Sequence, residues 1–421
     1  MRLLLVHPRF PYRGRDAFPL GLGYLGAVAR EKATVEAVDE NYTPLDFDRL
    51  AADPPDIVGI SSTTPSFPRA MEIAAEIKRR AGETLVLMGG THVTFCPEEA
   101  LRSGVDIVVR GEGERTLMEI LDGLPLKDVK GVSYKSADRV IHNSWRELQE
   151  DLDSLPLPAW DAFSLKHYNI MSIITSRGCP YACLYCCAAK FWKRRVRYRS
   201  PENVLEELRE IASMGYTMVR FMDSTFTLNR EHAMRICELM KKEGLDFSWS
   251  CETRADSLDN DLLRTLADSG CNLLCLGVDS GSQRVLDETQ RKMRVAVVKA
   301  AFRKIREHGM STRAYVTFGF PGESEKSVRE TVKLLREIQP DQILLSLATA
   351  YPGTELWNMK QSRHVYPHPS WIAKFHGHGY GGRLFLPEGL SRKDYMRLAD
   401  YLWGEVRKLL RDKSRLKPET G

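Results

Sequence analysis

What this sequence has little of narrows it quickly. No apolar run approaches the ~18 residues that a membrane-spanning helix needs. The N-terminus, MRLLLVHPRF, offers only four apolar residues in a row before His7 and Pro8. That is too short for the core of a signal peptide, and it reads as a first β-strand. Charge of one sign is scarce as well: 61 Lys and Arg against 56 Asp and Glu leave a net +5 over 421 residues. The positive charge is scattered rather than striped, so it implies no nucleic-acid partner. Nine cysteines are present, of which Cys179, Cys183, Cys186 and Cys187 cluster while the other five are dispersed. A secreted disulfide framework would be smaller, denser and preceded by a signal. A reduced, cytoplasmic protein with one metal or redox site fits these absences.

What is present is alternation. Short apolar runs at Leu3 to Val6, Thr34 to Val38, Ile57 to Ser61, Thr84 to Met88 and Ile107 to Val109 alternate with amphipathic stretches such as Arg69 to Arg80. This pattern predicts an open, doubly wound (Rossmann-like) parallel sheet over residues 1–135, with ligands bound beyond the carboxyl ends of its strands. A small hairpin fits Gly131 to Asn143. An acidic stretch with Pro156 and Pro158 suits a linker, placed at 136–165. A second alternation follows over 166–350, with strands expected near 170–175, 218–222, 247–251, 273–278, 314–318 and 343–347. Six βα repeats predict a partial, TIM-type (β/α)6 barrel with an open side. Residues 351–421 form a small, mainly helical C-terminal segment. It contains an irregular region with His364, His368, His376 and His378, then a helix from about Ser391 to Lys413.

The chemistry concentrates at Cys179-x3-Cys183-x2-Cys186, directly after a strand and Gly178. Three closely spaced thiolates bind either zinc or an iron–sulfur cluster. Zinc would need a fourth ligand; Cys271-x3-Cys275 offers candidates, but inside an apolar strand pattern where buried free cysteines are common. Three ligands alone would leave one iron of a four-iron cluster open.

The string TSRGCPYACLYC resembles the radical S-adenosylmethionine (SAM) superfamily, and more narrowly its cobalamin-binding branch. By that resemblance Cys179, Cys183 and Cys186 hold an oxygen-sensitive [4Fe-4S] cluster whose open iron is chelated by SAM, which one electron cleaves to a 5′-deoxyadenosyl radical. Tyr185 then contacts the adenine, while Cys187 has no place in the ligand motif and reads as a packing residue. FMDSTFTLN (221–229) offers Asp223 and Ser224 to the methionine moiety, with Ser224 standing where the family usually has a second acid. Glu252 and Arg254 end the third strand, and Arg254 suits the SAM carboxylate. GVDSGSQRVLD (277–287) carries Asp279 where the family has glutamate, for the ribose. YVTFGFPGES (315–324) places the Gly319 turn against adenine, and YPGTEL (351–356) resembles the segment that closes the repeat.

The first domain continues the likeness. FPLGLGYLGAVA (18–29), DIVGISSTTPS (56–66), LMGGTHVT (87–94) and VVRGEGE (108–114) resemble the cobalamin branch in order. They offer Ser61, Ser62, Thr63, Gly89, Gly90, Thr91, Glu112, Gly113 and Glu114 to cobalamin. Gly89 and Gly90 would permit close backbone approach to a bulky ligand. The Asp-x-His-x-x-Gly motif that supplies a histidine below the cobalt in other cobalamin proteins is absent from this domain. His92 reads as a pocket contact, and the loop Thr63 to Phe67 as the wall of the lower face.

The resemblance implies methyl transfer to an unactivated carbon or phosphorus centre through methylcobalamin. The alternative within enzymes is cyclisation, ring rearrangement or lipid-skeleton tailoring without methyl transfer. Outside them stands a non-enzymatic iron–sulfur or cobalamin sensor, for which no partner-binding module is visible. The partners implied are a small-molecule or lipid-like substrate and a reductant such as flavodoxin or ferredoxin. The C-terminal helix is expected to dock on the barrel rather than on a membrane surface. The basic run from Lys193 to Arg199 is expected to be a solvated face or a brace for the cysteine loop rather than a polyanion site.

Overall fold

A computed structural model of the chain describes residues 1–11, 17–359, 375 and 383–416. The chain divides into two compact units, Met1–Asn169 and Ile170–Gly421.

The first unit is built on a seven-stranded sheet. Five parallel strands come first: β1 (Arg2–His7), β2 (Thr34–Asp39), β3 (Ile57–Ser61), β4 (Leu85–Gly89) and β5 (Ile107–Val109). The antiparallel pair β6 (Val132–Ser136) and β7 (Arg139–His142) extends the edge, in the order 2-1-3-4-5-6-7. This is a doubly wound topology, with its switch point between β1 and β3. The strands read as continuous apolar runs because helices cover both faces. The helix Phe67–Arg80, for example, buries Ala70, Ile73, Ala74 and Ile77 against Val58, Ile60, Val86 and Met88.

The hairpin expected near 131–143 is β6 and β7, paired within this sheet. The stretch assigned to a linker, 136–165, includes β7, and its later part packs inside the first unit. Phe18 meets Trp160 and Phe163 with ring centroids 4.6 and 4.8 Å apart, and Ala159 N–H donates to the Gly23 carbonyl at 3.0 Å. A Cβ on Gly23 would stand 2.9 Å from Phe18 and 3.0 Å from Pro158. Close approach of another segment therefore explains a glycine in the middle of the helix Leu20–Ala29, where glycine is otherwise costly.

The second unit carries six parallel strands: β8 (Met171–Ile173), then β11 (Met218–Phe221), β12 (Ser248–Thr253), β13 (Cys271–Asp279), β14 (Ser311–Phe318) and β15 (Gln342–Leu347). Between β8 and β11 lie the short β9 (Ser176–Arg177) and β10 (Arg197–Tyr198). The six run in the order 15-14-13-12-11-8, an open (β/α)6 sheet. Alternation along the strands sorts the side chains. Val219, Phe221, Trp249, Cys251, Ala314 and Val316 are buried in the core. Arg220, Glu252 and Tyr315 occupy the alternate positions and meet one another across three strands. The helices start where the sequence signals: Ser200 Oγ accepts from Asn203 N–H, and Ser324 makes a capping box with Ser327. The C-terminal helix, Arg392–Leu416, docks within this unit, with Tyr395 against Phe318 and Glu405 paired with Arg336.

One buried contact in the first unit is a clean test of this packing. Tyr168 is 3% exposed, and its hydroxyl donates to the buried Asp39 carboxylate at 2.8 Å. Tyr168→Phe keeps the ring contacts but removes the donor to a buried acid. It should lower stability by about 1.5–3 kcal/mol, read as a shift of the urea midpoint at unchanged slope.

Candidate functional site

The cysteine loop is held closed at its base and gripped at its tip. At the base, β9 pairs antiparallel with β10, so the strand entering the loop bonds to the basic run leaving it. Gly178 sits between them at φ 120°, and a Cβ there would lie 1.9 Å from the Arg195 carbonyl oxygen. Only glycine permits that backbone approach. Arg199, buried on the exit side, donates to the Ile174 carbonyl at 2.9 Å and pairs with the fully buried Glu207. Of the two roles expected for the basic run, Arg197 and Arg199 are buried as a brace, while Lys193 to Arg195 are exposed. At the tip, Leu184 N–H donates to the Thr289 carbonyl at 3.1 Å, and the Leu184 carbonyl accepts from Leu356 N–H at 3.0 Å. Tyr185 stacks on Phe320 at 4.6 Å and donates its hydroxyl to Asp279 at 2.8 Å.

Two guanidinium groups lie beside the sulfurs. Arg254 is 2% exposed, paired with Asp256 at 2.9 and 2.7 Å, and sits over the Tyr181 ring at 3.7 Å. Arg291 contacts Asp279 at 2.6 Å and points Nη1 at Cys183 Sγ across 3.9 Å. Burial pushes the Cys179 thiol up, while Arg254 and Arg291 pull it down. The setting suits an anionic, sulfur-bound core. Cys271 and Cys275 are buried in β13, as expected of packing residues, and Cys187 is half-buried.

The structure places the SAM candidates around this loop unevenly. Asp223 is buried and accepts from Thr175 N–H at 3.1 Å and from the hydroxyls of Thr175 and Ser176, so it orders the chain just ahead of Gly178. Ser224, beside it, is exposed. Glu252 is half-buried between Arg220 (2.8 Å) and the Tyr315 hydroxyl (3.2 Å). The fork of Arg254, expected for a SAM carboxylate, is occupied by Asp256. Asp279 adopts φ 60°, a left-handed conformation that Asp tolerates better than most residues, at a register shift in β13. Gly319, at φ 95°, lies against the Tyr395 ring, and its N–H donates to Glu323 at 3.1 Å. Sequence reasoning missed Arg291, Arg220, Tyr315, Glu323 and Tyr395. Arg291 sits in the charged run DETQRKMR, where nothing distinguishes it from a surface residue.

In the first unit, the strand-end loops of β3, β4 and β5 converge. Ser62 N–H donates to the Gly89 carbonyl at 2.7 Å, and Gly111 N–H donates to Thr94 Oγ1 at 3.0 Å. Gly90, at φ 106°, would place a Cβ 2.3 Å from the Ser62 carbonyl oxygen. Ser61, Ser62, Thr63, Gly89, Gly90 and Thr91 are therefore one surface. The Ser62 hydroxyl is buried there with no partner among the described residues, a donor that a ligand would satisfy. Glu112 accepts from Gln149 N–H at 2.8 Å, and Gly113 and the buried Glu114 begin the helix Glu114–Leu121. His92 is turned into the protein, its Nδ1 on Thr64 and its ring on Phe67. The histidines between 364 and 378 lie outside the described residues.

A doubly wound sheet with ligand loops at its strand ends, and an open barrel with a cysteine loop after its first strand, define a two-part cofactor enzyme. Comparisons with known proteins agree. Residues 173–335 match the radical SAM superfamily, and residues 12–121 match the B12 binding domain. The uncharacterized methyltransferase PH0819 of Pyrococcus horikoshii is 32% identical over 392 residues, covering 88% of this chain and 85% of that protein. The anaerobic magnesium-protoporphyrin IX monomethyl ester cyclase of Cereibacter sphaeroides is 28% identical over 388 residues, covering 85% of this chain and 63% of that protein. Among solved structures, the radical SAM methyltransferase TsrM of Kitasatospora setae, with cobalamin and a [4Fe-4S] cluster bound, shares the fold. Its TM-score is 0.77 at 19% identity, covering 97% of this chain and 89% of that one. The chain belongs to the cobalamin-binding radical SAM family. It is an enzyme, in class a cobalamin-dependent radical SAM methyltransferase, and its cofactors are a [4Fe-4S] cluster, SAM and cobalamin. Among the described residues no helix is long and apolar enough to cross a membrane.

Glu323 gives this site a pH signature. Burial raises its carboxyl from 4.5 to about 7, against hydrogen bonds from Ser327 and Gly319 that lower it. The folded chain therefore holds this proton more tightly than the unfolded one. The group's contribution to stability is fully present below about pH 4.5 and is lost as pH rises to about 7. In Glu323→Gln that loss should disappear. Thermal melts between about pH 5 and 8 should show the variant's Tm gaining on the parent up to about 7 and running parallel above it.

Proposed function

We propose that this enzyme transfers a methyl group to an unactivated carbon, or a phosphorus, of a small molecule. Cys179, Cys183 and Cys186 would hold the cluster, and the loops at Ser61–Thr63, Gly89–Thr91 and Glu112–Glu114 would hold cobalamin. The reading rests on one observation: a relative named as a methyltransferase matches this chain at 32% identity across both units. When bound, the cluster supplies the electron that cleaves SAM, and cobalamin carries the methyl group.

The chain's own residues do the positioning. Tyr185 and Phe320 form a stacked aromatic platform, and Tyr185 is pinned by Asp279. Asp279 and Glu252 present carboxylates suited to the ribose hydroxyls and the amino group of SAM. The Gly319 turn, expected beside adenine, has the space of its missing side chain filled by Tyr395, so only its backbone would face the ring. Arg291 points a guanidinium nitrogen at the Cys183 sulfur, whereas the fork of Arg254 is held by Asp256. No general base is needed, because hydrogen removal by a radical leaves no proton to collect. A flavodoxin- or ferredoxin-type protein is the reductant this chemistry calls for, and nine cysteines outside any disulfide suit the cytoplasm. The region 351–421 is the proposed substrate-facing part.

A second reading, ring formation without methyl transfer, is favoured by the 28% match to the magnesium-protoporphyrin ester cyclase. Counting SAM products separates the two. Methyl transfer should release S-adenosylhomocysteine and 5′-deoxyadenosine in about equal amounts. The cyclase reading gives 5′-deoxyadenosine with little S-adenosylhomocysteine. The ligand assignment has its own check, in iron and visible absorbance after anaerobic reconstitution. Alanine at Cys179, Cys183 or Cys186 should abolish the cluster, whereas Cys187→Ala should retain it.

A further inference from the structure

The first unit carries a constellation of metal-ligand side chains of its own. His92, on the short helix Thr91–Phe95, and Cys96 and Glu99, at the start of and within the helix Pro97–Leu101, bring one ligand atom each to within 4.8 Å of one another. A nitrogen, a sulfur and a carboxylate oxygen are a donor set that zinc accepts.

The histidine is held as a ligand is usually held. It is 4% exposed, its ring stacks on Phe67 with centroids 4.0 Å apart, and its Nδ1 meets Thr64 Oγ1 at 3.1 Å. A metal-binding imidazole is commonly oriented in this way, by a hydrogen bond at the nitrogen that does not bind the metal. The other nitrogen, Nε2, points at Glu99 Oε2 across 3.4 Å. That is longer than the 2.7–3.2 Å of ordinary N–H···O hydrogen bonds. It is, however, the edge of a tetrahedron with bonds of ~2.0–2.1 Å, which is ~3.3–3.4 Å. With Nδ1–H donated to Thr64, Nε2 presents a lone pair toward the Glu99 carboxylate, and a cation between them makes that contact attractive.

We propose that His92, Cys96 and Glu99 bind one divalent zinc ion, Cys96 giving up its thiol proton, with water in the fourth position. The site ties the turn after β4 to the loop after β3 through Thr64, and it does not depend on the function proposed above.

The test uses the full chain, reconstituted anaerobically with iron and sulfide, loaded with cobalamin, incubated with zinc chloride and desalted. About one zinc per chain should remain beside the iron and cobalt. Its X-ray absorption should show a single sulfur at ~2.3 Å and nitrogen or oxygen at ~2.0 Å. Cys96→Ser and Glu99→Gln change residues that are not buried, so the fold should survive. Each should lower zinc affinity by roughly 100-fold or more with iron and cobalt unchanged, and Thr64→Val should lower zinc affinity by about 10–100-fold with iron unchanged. His142→Gln, at a neighbouring His–Glu contact, should leave zinc unaffected. A correctly loaded chain that retains no zinc would overturn the proposal. So would zinc surrounded by two or more sulfurs, or zinc held as tightly by Cys96→Ser as by the parent.

Discussion

The site in the second unit is arranged around the cost of placing positive charge out of water beside sulfur. A buried guanidinium is tolerated only when an anion and further hydrogen-bond acceptors compensate it. Arg254 has Asp256 and the backbone carbonyls of Arg291 and Lys292; Arg291 has Asp279 and the carbonyl of Gly277. Each ion pair recruits a strand end or the segment after a helix, so the charges beside the cysteines organise the rim of the sheet. Asp279 shows the strain involved: a non-glycine residue in the left-handed region, held by Tyr185 on one side and Arg291 on the other. Strain of this kind persists where surrounding contacts over-determine it, as at ligand sites.

The first unit solves a different problem, that of bringing backbone close to backbone. Gly90 lets one loop cross another at the strand ends, and Gly23 lets the segment around Pro158 lie on a helix. The glycine-rich signatures in this domain therefore have two roles. Some open a ligand surface, and some close the packing beneath it.

Most of the framework was legible in the sequence because burial on both faces leaves an unmistakable mark on parallel strands. All eleven expected parallel strands are present, none displaced by more than three residues at an end, and the cysteine loop follows the first strand of the barrel. The polar residues were harder to read. Asp223 resembles a cofactor contact by its motif, yet its oxygens are engaged by Thr175 and Ser176, a pairing that only the folded strand ends create. Arg254 was visible, but Asp256, two residues away, was not recognisable as its partner. Glu323 and Tyr395 are brought together by packing of a helix more than 70 residues downstream, which no local pattern encodes. Acidic composition and prolines near 150–158 suggested a free connection, whereas Trp160, Phe163 and Tyr168 bury themselves against Phe18.

The grip on Leu184 has a consequence for biogenesis. Its amide is satisfied by Thr289 and its carbonyl by the amide of Leu356, groups that the ribosome adds long after the cysteines themselves. During synthesis the thiol-bearing segment emerges with neither clasp available. The hold on that segment is therefore complete only after the last strand of the sheet, and the residues just beyond it, have been made.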